Sequence, residues 1–76
     1  MVELFVATAR DETRARKIYG EILKRRRRER GITAMEIAKR AITSKENIEK
    51  AEQGLLDLAP AQKQRIKKFL RRQKII

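Results

Sequence analysis

Residues 31–54 constrain the fold more than any other stretch, because they carry the start and stop signals of two short helices. Thr33 lies three residues before Glu36, which is the spacing of a capping box: the hydroxyl and the carboxylate each bind a backbone N–H left open at a helix start. Ser44 offers a second N-cap, and Gly54 supplies a stop signal. The segment therefore predicts a helix, a tight turn and a second helix.

Apolar residues in this segment recur at helical intervals and predict which faces are buried. They are Ile37, Ala38 and Ala41 in the first helix, and Ile48 and Ala51 in the second. With those residues facing a core, the polar side chains of the second helix face outward, and Asn47 lies near the rim. The outward set is Lys45, Glu46, Glu49 and Lys50.

The chain before residue 31 predicts one long helix. Residues 8–11 have the chemistry of a helix start, and the helix is expected to run to Arg30. Gly20 in its interior costs about 1 kcal/mol relative to Ala, which indicates close packing there. The apolar stripe of this helix comprises Ala15, Ile18, Tyr19, Ile22 and Leu23.

Residues 1–9 form an N-terminal arm, for which two interpretations remain open. Val2, Leu4 and Val6 recur at period two, which is the pattern of a short edge strand. Such a strand needs a partner, for example the same strand of a second copy. In the other interpretation, which we favour, Leu4 and Phe5 dock on the helical core.

The chain after Gly54 predicts a loop and a fourth helix. Pro60 suits a first helical position, and the helix is expected to run from there to Gln73. Its apolar positions are Ile66, Phe69 and Leu70. The loop residues expected to cover the core are Leu55, Leu56 and Leu58.

Length and composition limit the class of protein. Seventy-six residues allow one all-α domain at residues 10–74, with a helix-turn-helix unit at 33–53 and a C-terminal tail at 75–76. The chain has no cysteine and no histidine, which removes disulfides, thiolate chemistry and imidazole bases and leaves no expected metal site or cofactor. The absence of cysteine fits a cytoplasmic protein, which is the expectation. The apolar run at 4–7 is too short for a signal peptide or a membrane span.

The net charge of +11 is carried by the flanks of the helix pair. Residues 1–30 contain ten Lys or Arg and five Asp or Glu, whereas residues 31–54 contain four of each. Residues 55–76 contain seven Lys or Arg and one acidic residue. A polyanionic partner follows from this distribution, because neutralising phosphates releases counterions. The alternative is a solvated basic surface.

The helix pair resembles the lambda-repressor-like (Xre-type) helix-turn-helix family. The family pattern begins Gly-Leu-Thr-Gln-Glu-Glu-Leu-Ala, continues with a Ser or Thr and an Ile, and ends Ile-Glu-Asn-Gly. The matching positions are Gly31, Ile32, Thr33, Glu36, Ile37, Ala38, Ser44, Ile48, Glu52 and Gly54. The resemblance covers residues 18–70 and implies a compact four-helix DNA-binding domain.

The resemblance also assigns a structural pair and marks departures. It implies an ion pair between Arg27 and Glu52 that ties the first helix to the third. Arg26 stands where the family prefers an apolar residue, and Ala34 stands where it has Gln. Ile42 replaces the usual turn glycine, and we expect this β-branched residue to avoid positive φ.

The start of the third helix has two candidate caps. Thr43 has the capping-box spacing to Glu46, whereas Ser44 fits the family register. We favour Ser44.

By family position, Lys45, Glu46 and Lys50 on the third helix are the residues expected to read bases. Lys can donate to guanine, Asn can bridge adenine, and Glu can accept from the cytosine amino group. The expected base-contacting set is Lys45, Glu46, Asn47, Glu49 and Lys50. The alternative is that Glu46 and Glu49 only pair with neighbouring lysines. The expected phosphate contacts are Thr33, Lys39, Arg40, Ser44, Gln53 and Lys63.

The leading hypothesis is a sequence-specific double-stranded DNA-binding transcriptional regulator, a repressor that binds a palindromic operator as a homodimer. A protein-interaction adaptor or antitoxin-like module on the same scaffold is the alternative. RNA binding ranks below both, because the chain has only three aromatic residues. An enzyme ranks last, since no catalytic set and no small-molecule substrate are evident.

Overall fold

The computed structural model describes the backbone of residues 2–74 and the side chains of residues 12–74. All regular structure in these residues is helical, with no strand among them. The four helices are α1 (Val2–Glu29), α2 (Ala34–Ala41), α3 (Lys45–Glu52) and α4 (Pro60–Arg72). The expectation of an all-α chain with four helices is confirmed.

Helix α1 has 28 residues and includes the predicted N-terminal arm. The strand interpretation of the arm is wrong for residues 2–9, whose backbone is helical. The helix also continues through residues 8–11, where the sequence predicted its start. A lone strand has no neighbour to take its backbone hydrogen bonds, whereas a helix satisfies them internally. No Gly or Pro precedes Gly20 to interrupt the helix. The expected docking of Leu4 and Phe5 lies outside the described side chains.

Helices α1, α2 and α3 all end with one residue in the left-handed region. These residues are Gly31 (φ 66), Ile42 (φ 59) and Gly54 (φ 78). After each helix, two successive N–H groups bind carbonyl oxygens of the last turn, which is the Schellman arrangement. The two glycines act as the stop signals that the sequence predicts, although α1 ends at Glu29 and not at Arg30.

Ile42 adopts this conformation although it is β-branched. The expectation that it avoids positive φ is wrong, since its φ is 59 and its ψ is 58. Two hydrogen bonds close the motif: Thr43 N–H donates to Ala38 O at 2.9 Å, and Ile42 N–H donates to Lys39 O at 3.3 Å. The left-handed conformation costs an L-residue about 1–2 kcal/mol. Ile42 is 71% exposed, so burial of its side chain offsets little of that cost.

The core lies where α2, α3 and α4 meet the C-terminal half of α1. Helix α3 packs against α1 and α2, and α4 packs against α2. The largest fully buried side chains are Ile37, Ile48 and Ile66, one from each of the three shorter helices. Leu23 is the buried apolar side chain among the described residues of α1, whereas Ala15 is exposed and Ile18 is 49% exposed. The predicted stripe of α1 therefore faces the core only from Tyr19 onward.

The α3–α4 loop covers the core with two of its three leucines. Leu58 is buried and Leu56 packs against the core, but Leu55 is 71% exposed. The expected core contact of Leu55 is therefore wrong. Its N–H donates to Lys50 O at 2.9 Å as the last bond of the Schellman motif, and the chain reversal at Gly54 leaves its side chain outside.

Gly20 lies at the closest approach of α1 to α3. A Cβ atom added there would lie within 2.8 Å of three backbone atoms of residues 51 and 52, which is inside van der Waals contact. Backbone atoms of a packed helix cannot move aside as the end of a flexible side chain can. The absence of a side chain at Gly20 is therefore what permits this helix crossing, and the close packing expected from the sequence is present.

Gly20→Ala is expected to destabilise the fold by about 1–3 kcal/mol, because overpacking at the crossing outweighs the better helix propensity of Ala. Urea unfolding monitored by circular dichroism measures the change. Glu21→Ala, at the exposed neighbouring position, is the control and should change stability by no more than about 0.5 kcal/mol. A Gly20→Ala variant more stable than the parent would contradict the close crossing.

Ile42→Gly is expected to stabilise the fold by about 1 kcal/mol, because it removes the cost of positive φ at the end of α2. Thermal and urea unfolding measure this gain. Ile42→Asn should give part of it, since Asn tolerates the left-handed region, and Ile42→Ala should give little. Equal gains from Ala and Gly would show that the exposed apolar side chain, and not the backbone, is responsible.

Candidate nucleic-acid interface

The turn before α3 fixes where the helix begins. Ser44 has extended backbone angles, and its hydroxyl accepts a hydrogen bond from the Asn47 N–H at 3.1 Å. The choice of Ser44 as N-cap is thus confirmed. Thr43 has a different role, because its hydroxyl accepts from the Asn47 side-chain amide at 2.9 Å. Two adjacent hydroxyls therefore hold the first turn of α3.

Helix α3 has one buried and one exposed face. Ile48 and Ala51 are both 0% exposed and anchor the helix in the core. The opposite face forms what we call the α3 ridge, which consists of the exposed residues Lys45, Glu46, Glu49 and Lys50. The structure thus brings together on one surface four of the five residues predicted to contact bases.

The charges of the α3 ridge are only partly paired. Lys45 Nζ lies 3.6 Å from Glu49 Oε1, with both side chains about half exposed. A Lys that precedes its Glu by four residues is the weaker order on a helix, and exposed pairs contribute little. In residues 12–74, the structure gives the side chains of Glu46 and Lys50 no ionic partner. The alternative of ordinary helix pairing thus describes Glu49 but not Glu46.

Asn47 differs from the rest of the predicted base-contacting set. It is half-buried, and its amide nitrogen is engaged by Thr43. One N–H and the carbonyl oxygen of its side chain remain available. Asn47 thus helps to hold the turn, and its contact with a base stays a prediction.

An ion pair joins α1 to the end of α3, as the resemblance implies. Arg27 Nε donates to Glu52 Oε2 at 2.8 Å, and Arg27 Nη2 donates to Glu52 Oε1 at 3.1 Å. The remaining Nη1 donates to Ile32 O at 3.1 Å. The side chains are only 15% and 6% exposed, so the pair is largely removed from water. This bidentate hydrogen bonding fixes the angle of α3 as well as its distance from α1.

Four of the predicted phosphate-contacting residues are exposed and close to the helix pair. Thr33 caps α2 by accepting from the Glu36 N–H at 3.2 Å, as Ser44 caps α3. Lys39 and Gln53 are exposed. The amino ends of α2 and α3 thus each present a capping hydroxyl and a partial positive charge at the surface.

The other two predicted phosphate contacts are engaged elsewhere. The Arg40 guanidinium lies over the Phe69 ring, 4.8 Å from its centroid. Lys63 Nζ lies 2.7 Å from Asp57 Oδ1 and 5.0 Å from the centroid of the Tyr19 ring. A phosphate would have to compete with these partners, most strongly at Lys63, whose ammonium already has a carboxylate.

Arg30 bridges α1 and α4, which the sequence did not indicate. Its Nε donates to Leu70 O at 3.0 Å, and its Nη1 donates to Arg26 O at 3.0 Å. In the sequence, Arg30 cannot be distinguished by its charge from the neighbouring arginines at 25–28. The signal that could have separated it from Arg28, which is exposed, is its position directly before the Gly31 stop.

Beside this bridge, a groove of about 730 Å³ runs between α1 and α4. No pattern in the sequence indicates this groove. Tyr19 lies at one end, and burial, followed by the nearby Asp57 carboxylate, raises the pKa of its phenol. Because the folded pKa is raised, ionisation of Tyr19 does not affect stability at neutral pH, and the fold loses stability as the pH rises above the ordinary phenol pKa of 10.0 towards the raised pKa. The α3 ridge does not line the groove.

The Arg27–Glu52 pair is expected to show a coupling energy of about 2 kcal/mol in a double-mutant cycle, because loss of one partner leaves a nearly buried charge. The variants are Arg27→Met, Glu52→Leu and the double variant, compared by urea unfolding. The exposed Lys45–Glu49 pair, changed to alanines, is the control and should couple by less than about 0.5 kcal/mol. Similar coupling in both cycles would contradict the structural role of Arg27.

Comparison of the chain with family models, with curated proteins and with solved structures found no match. Among the described residues there is no cluster of side chains suited to a metal ion, and no helix has the length and apolar character needed to cross a membrane.

Proposed function

We propose that this chain is a sequence-specific regulator that binds double-stranded DNA with α3 in the major groove. The observation that carries the proposal is the exposed α3 ridge. Ile48 and Ala51, which are both 0% exposed, anchor the opposite face of α3 in the core. Eight residues make α3 about 12 Å long at 1.5 Å per residue. A helix on a compact scaffold can enter the major groove, which is about 12 Å wide.

The ridge has the chemistry for reading base edges. Lys50 and Lys45 can donate to guanine O6 and N7, and Glu46 can accept from the cytosine amino group. A carboxylate near phosphates is unfavourable unless it meets such a donor. Glu46, which has no ionic partner within the described side chains, therefore favours selective recognition over indiscriminate coating.

Electrostatics support attraction to DNA from the flanks of the helix pair. The net charge is +11, while residues 31–54 contain equal numbers of basic and acidic side chains. Lys39, Gln53 and the amino ends of α2 and α3 are placed to contact phosphates. Such contacts position the protein, and the α3 ridge selects the sequence.

The resemblance to the lambda-repressor-like family extends the proposal to a cytoplasmic repressor that acts as a homodimer. Two copies would place their α3 helices about 34 Å apart, one turn of DNA, on a palindromic operator. The Arg27–Glu52 pair and the caps at Thr33 and Ser44 are present in the geometry that this resemblance implies.

DNA affinity is expected to fall steeply with salt, with a log–log slope of about −6 to −10 for a dimer. Fluorescence anisotropy with duplexes selected from a random pool measures the slope, and sedimentation of the complex gives the stoichiometry. A slope near zero would exclude duplex DNA as the partner.

Lys50→Ala is expected to weaken binding to the selected site about tenfold while changing binding to random duplex far less, because Lys50 reads bases. Lys68→Ala is the matched control, since Lys68 is an exposed lysine on α4 outside the ridge. It should lower both affinities equally. Equal loss on both duplexes from Lys50→Ala would reduce Lys50 to a phosphate contact.

A protein-interaction adaptor or antitoxin-like module on the same scaffold is the second candidate. The groove between α1 and α4 favours it, because the groove is separate from the α3 ridge. Stable association with a protein, together with no affinity for any selected duplex, would favour this function over DNA binding.

A further inference from the structure

The groove between α1 and α4 has the size of a short helix. Its lining extends from Tyr19 on α1 to Arg30, the residue directly after α1, and from Pro60 to Arg71 on α4. Each wall is therefore about 16 Å long at 1.5 Å per residue, or three helical turns. Arg30 joins the two walls at one end through its hydrogen bond to Leu70 O at 3.0 Å.

The floor of the groove is apolar. It is formed by the side chains of Ile22, Leu23, Ile66 and Leu70. Leu23, Ile66 and Leu70 are only 2%, 2% and 6% exposed, and Ile22 is partly buried. The floor is therefore a narrow apolar strip on which Ile22 is the most exposed residue, and burial of the area that remains accessible is favourable.

The rim of the groove is cationic, and none of the described residues that line it is acidic. The cations are Arg26, Arg30, Lys63, Lys67 and Arg71. Arg30 is held by backbone carbonyls and Lys63 by Asp57. Arg26, Lys67 and Arg71 are exposed, and the structure gives their side chains no ionic partner within residues 12–74. Three unpaired cations thus flank one apolar strip.

We propose that this groove binds an acidic, amphipathic helix of another protein. Apolar residues spaced at i, i+3, i+4 and i+7 would lie along the floor, as in other helix-in-groove complexes. Asp or Glu residues flanking that stripe would meet Arg26 on one wall and Lys67 and Arg71 on the other. Charge complementarity identifies the partner, because only an acidic flank can neutralise a rim without carboxylates.

Two other occupants fit the groove less well. Duplex DNA matches the cations, but its phosphates cannot contact an apolar floor between two helices. A second copy of this chain carries a net charge of +11 and would bring like charges to the rim. The proposal does not depend on DNA binding, since the α3 ridge lies outside the groove.

The probe is a fluorescein-labelled peptide of about 15 residues with Leu at the floor positions and Glu on both flanks. One control peptide has the same composition in a scrambled order, and another has Lys in place of Glu. Anisotropy with the full chain should give at least about tenfold tighter binding of the amphipathic acidic peptide than of either control. Equal binding of the scrambled peptide would overturn the proposal, because charge alone would then explain the affinity.

Matched charge reversals locate the binding site. Lys67→Glu with Arg71→Glu should weaken peptide binding at least about tenfold, whereas Arg65→Glu with Lys68→Glu, on the same helix outside the groove, should weaken it less than about threefold. On the other wall, Arg26→Glu is compared with Arg28→Glu, which does not line the groove. Circular dichroism confirms that each variant is folded. Equal losses within both pairs would overturn the assignment.

The same variants separate this inference from DNA binding. The two double variants have the same net charge, so nonspecific affinity for DNA should fall equally in both. Amide shifts in NMR spectra on adding the peptide should concentrate at Ile22 and Lys67. Shifts concentrated at Lys50, or displacement of the peptide by short duplex DNA, would contradict a separate groove site.

Discussion

The contact between α1 and α3 is the constraint on which the rest of the structure depends. Gly20 allows the backbone of α1 to approach the carbonyls at the end of α3, and the Arg27–Glu52 pair sets the angle two turns further along. A backbone contact and a bidentate hydrogen bond both tolerate only small shifts of one helix relative to the other. Helix α3 is therefore fixed at two points on its buried side, and no residue of the α3 ridge takes part in these two contacts.

Much of the helical pattern could be predicted from the sequence because its signals are local. The caps at Thr33 and Ser44 and the stops at Gly31 and Gly54 depend on hydrogen bonds within one turn of each helix. The N-terminal residues were predicted less well. Their period-two pattern suggested a strand, but a strand requires a partner from elsewhere, and the helix requires none. Hydrogen bonds within one helical turn could be predicted from the sequence, whereas the need for a distant partner strand could not be assessed from it.

The same distinction explains what could be predicted of the candidate site. The outward set of α3 followed from helical periodicity, whereas the half-buried position of Asn47 depends on its bond to Thr43. Phosphate contacts at Arg40 and Lys63 were proposed from charge, yet both cations have partners supplied by distant parts of the chain. The α1–α4 groove is lined by residues about 40 positions apart, so no single stretch of the sequence predicts it.

The three-residue connection between α2 and α3 has a consequence for how the chain tolerates change. Ile42 is the C-cap of α2 and Ser44 is the N-cap of α3. Thr43 contacts both helices, because its N–H donates to Ala38 O of α2 and its hydroxyl accepts from the Asn47 side chain of α3. No position is spare, so a chain one residue longer or shorter here would have to give up one of the two caps. The angle between α2 and α3 thus depends on a connection of fixed length, and insertions or deletions should be tolerated better in the α3–α4 loop.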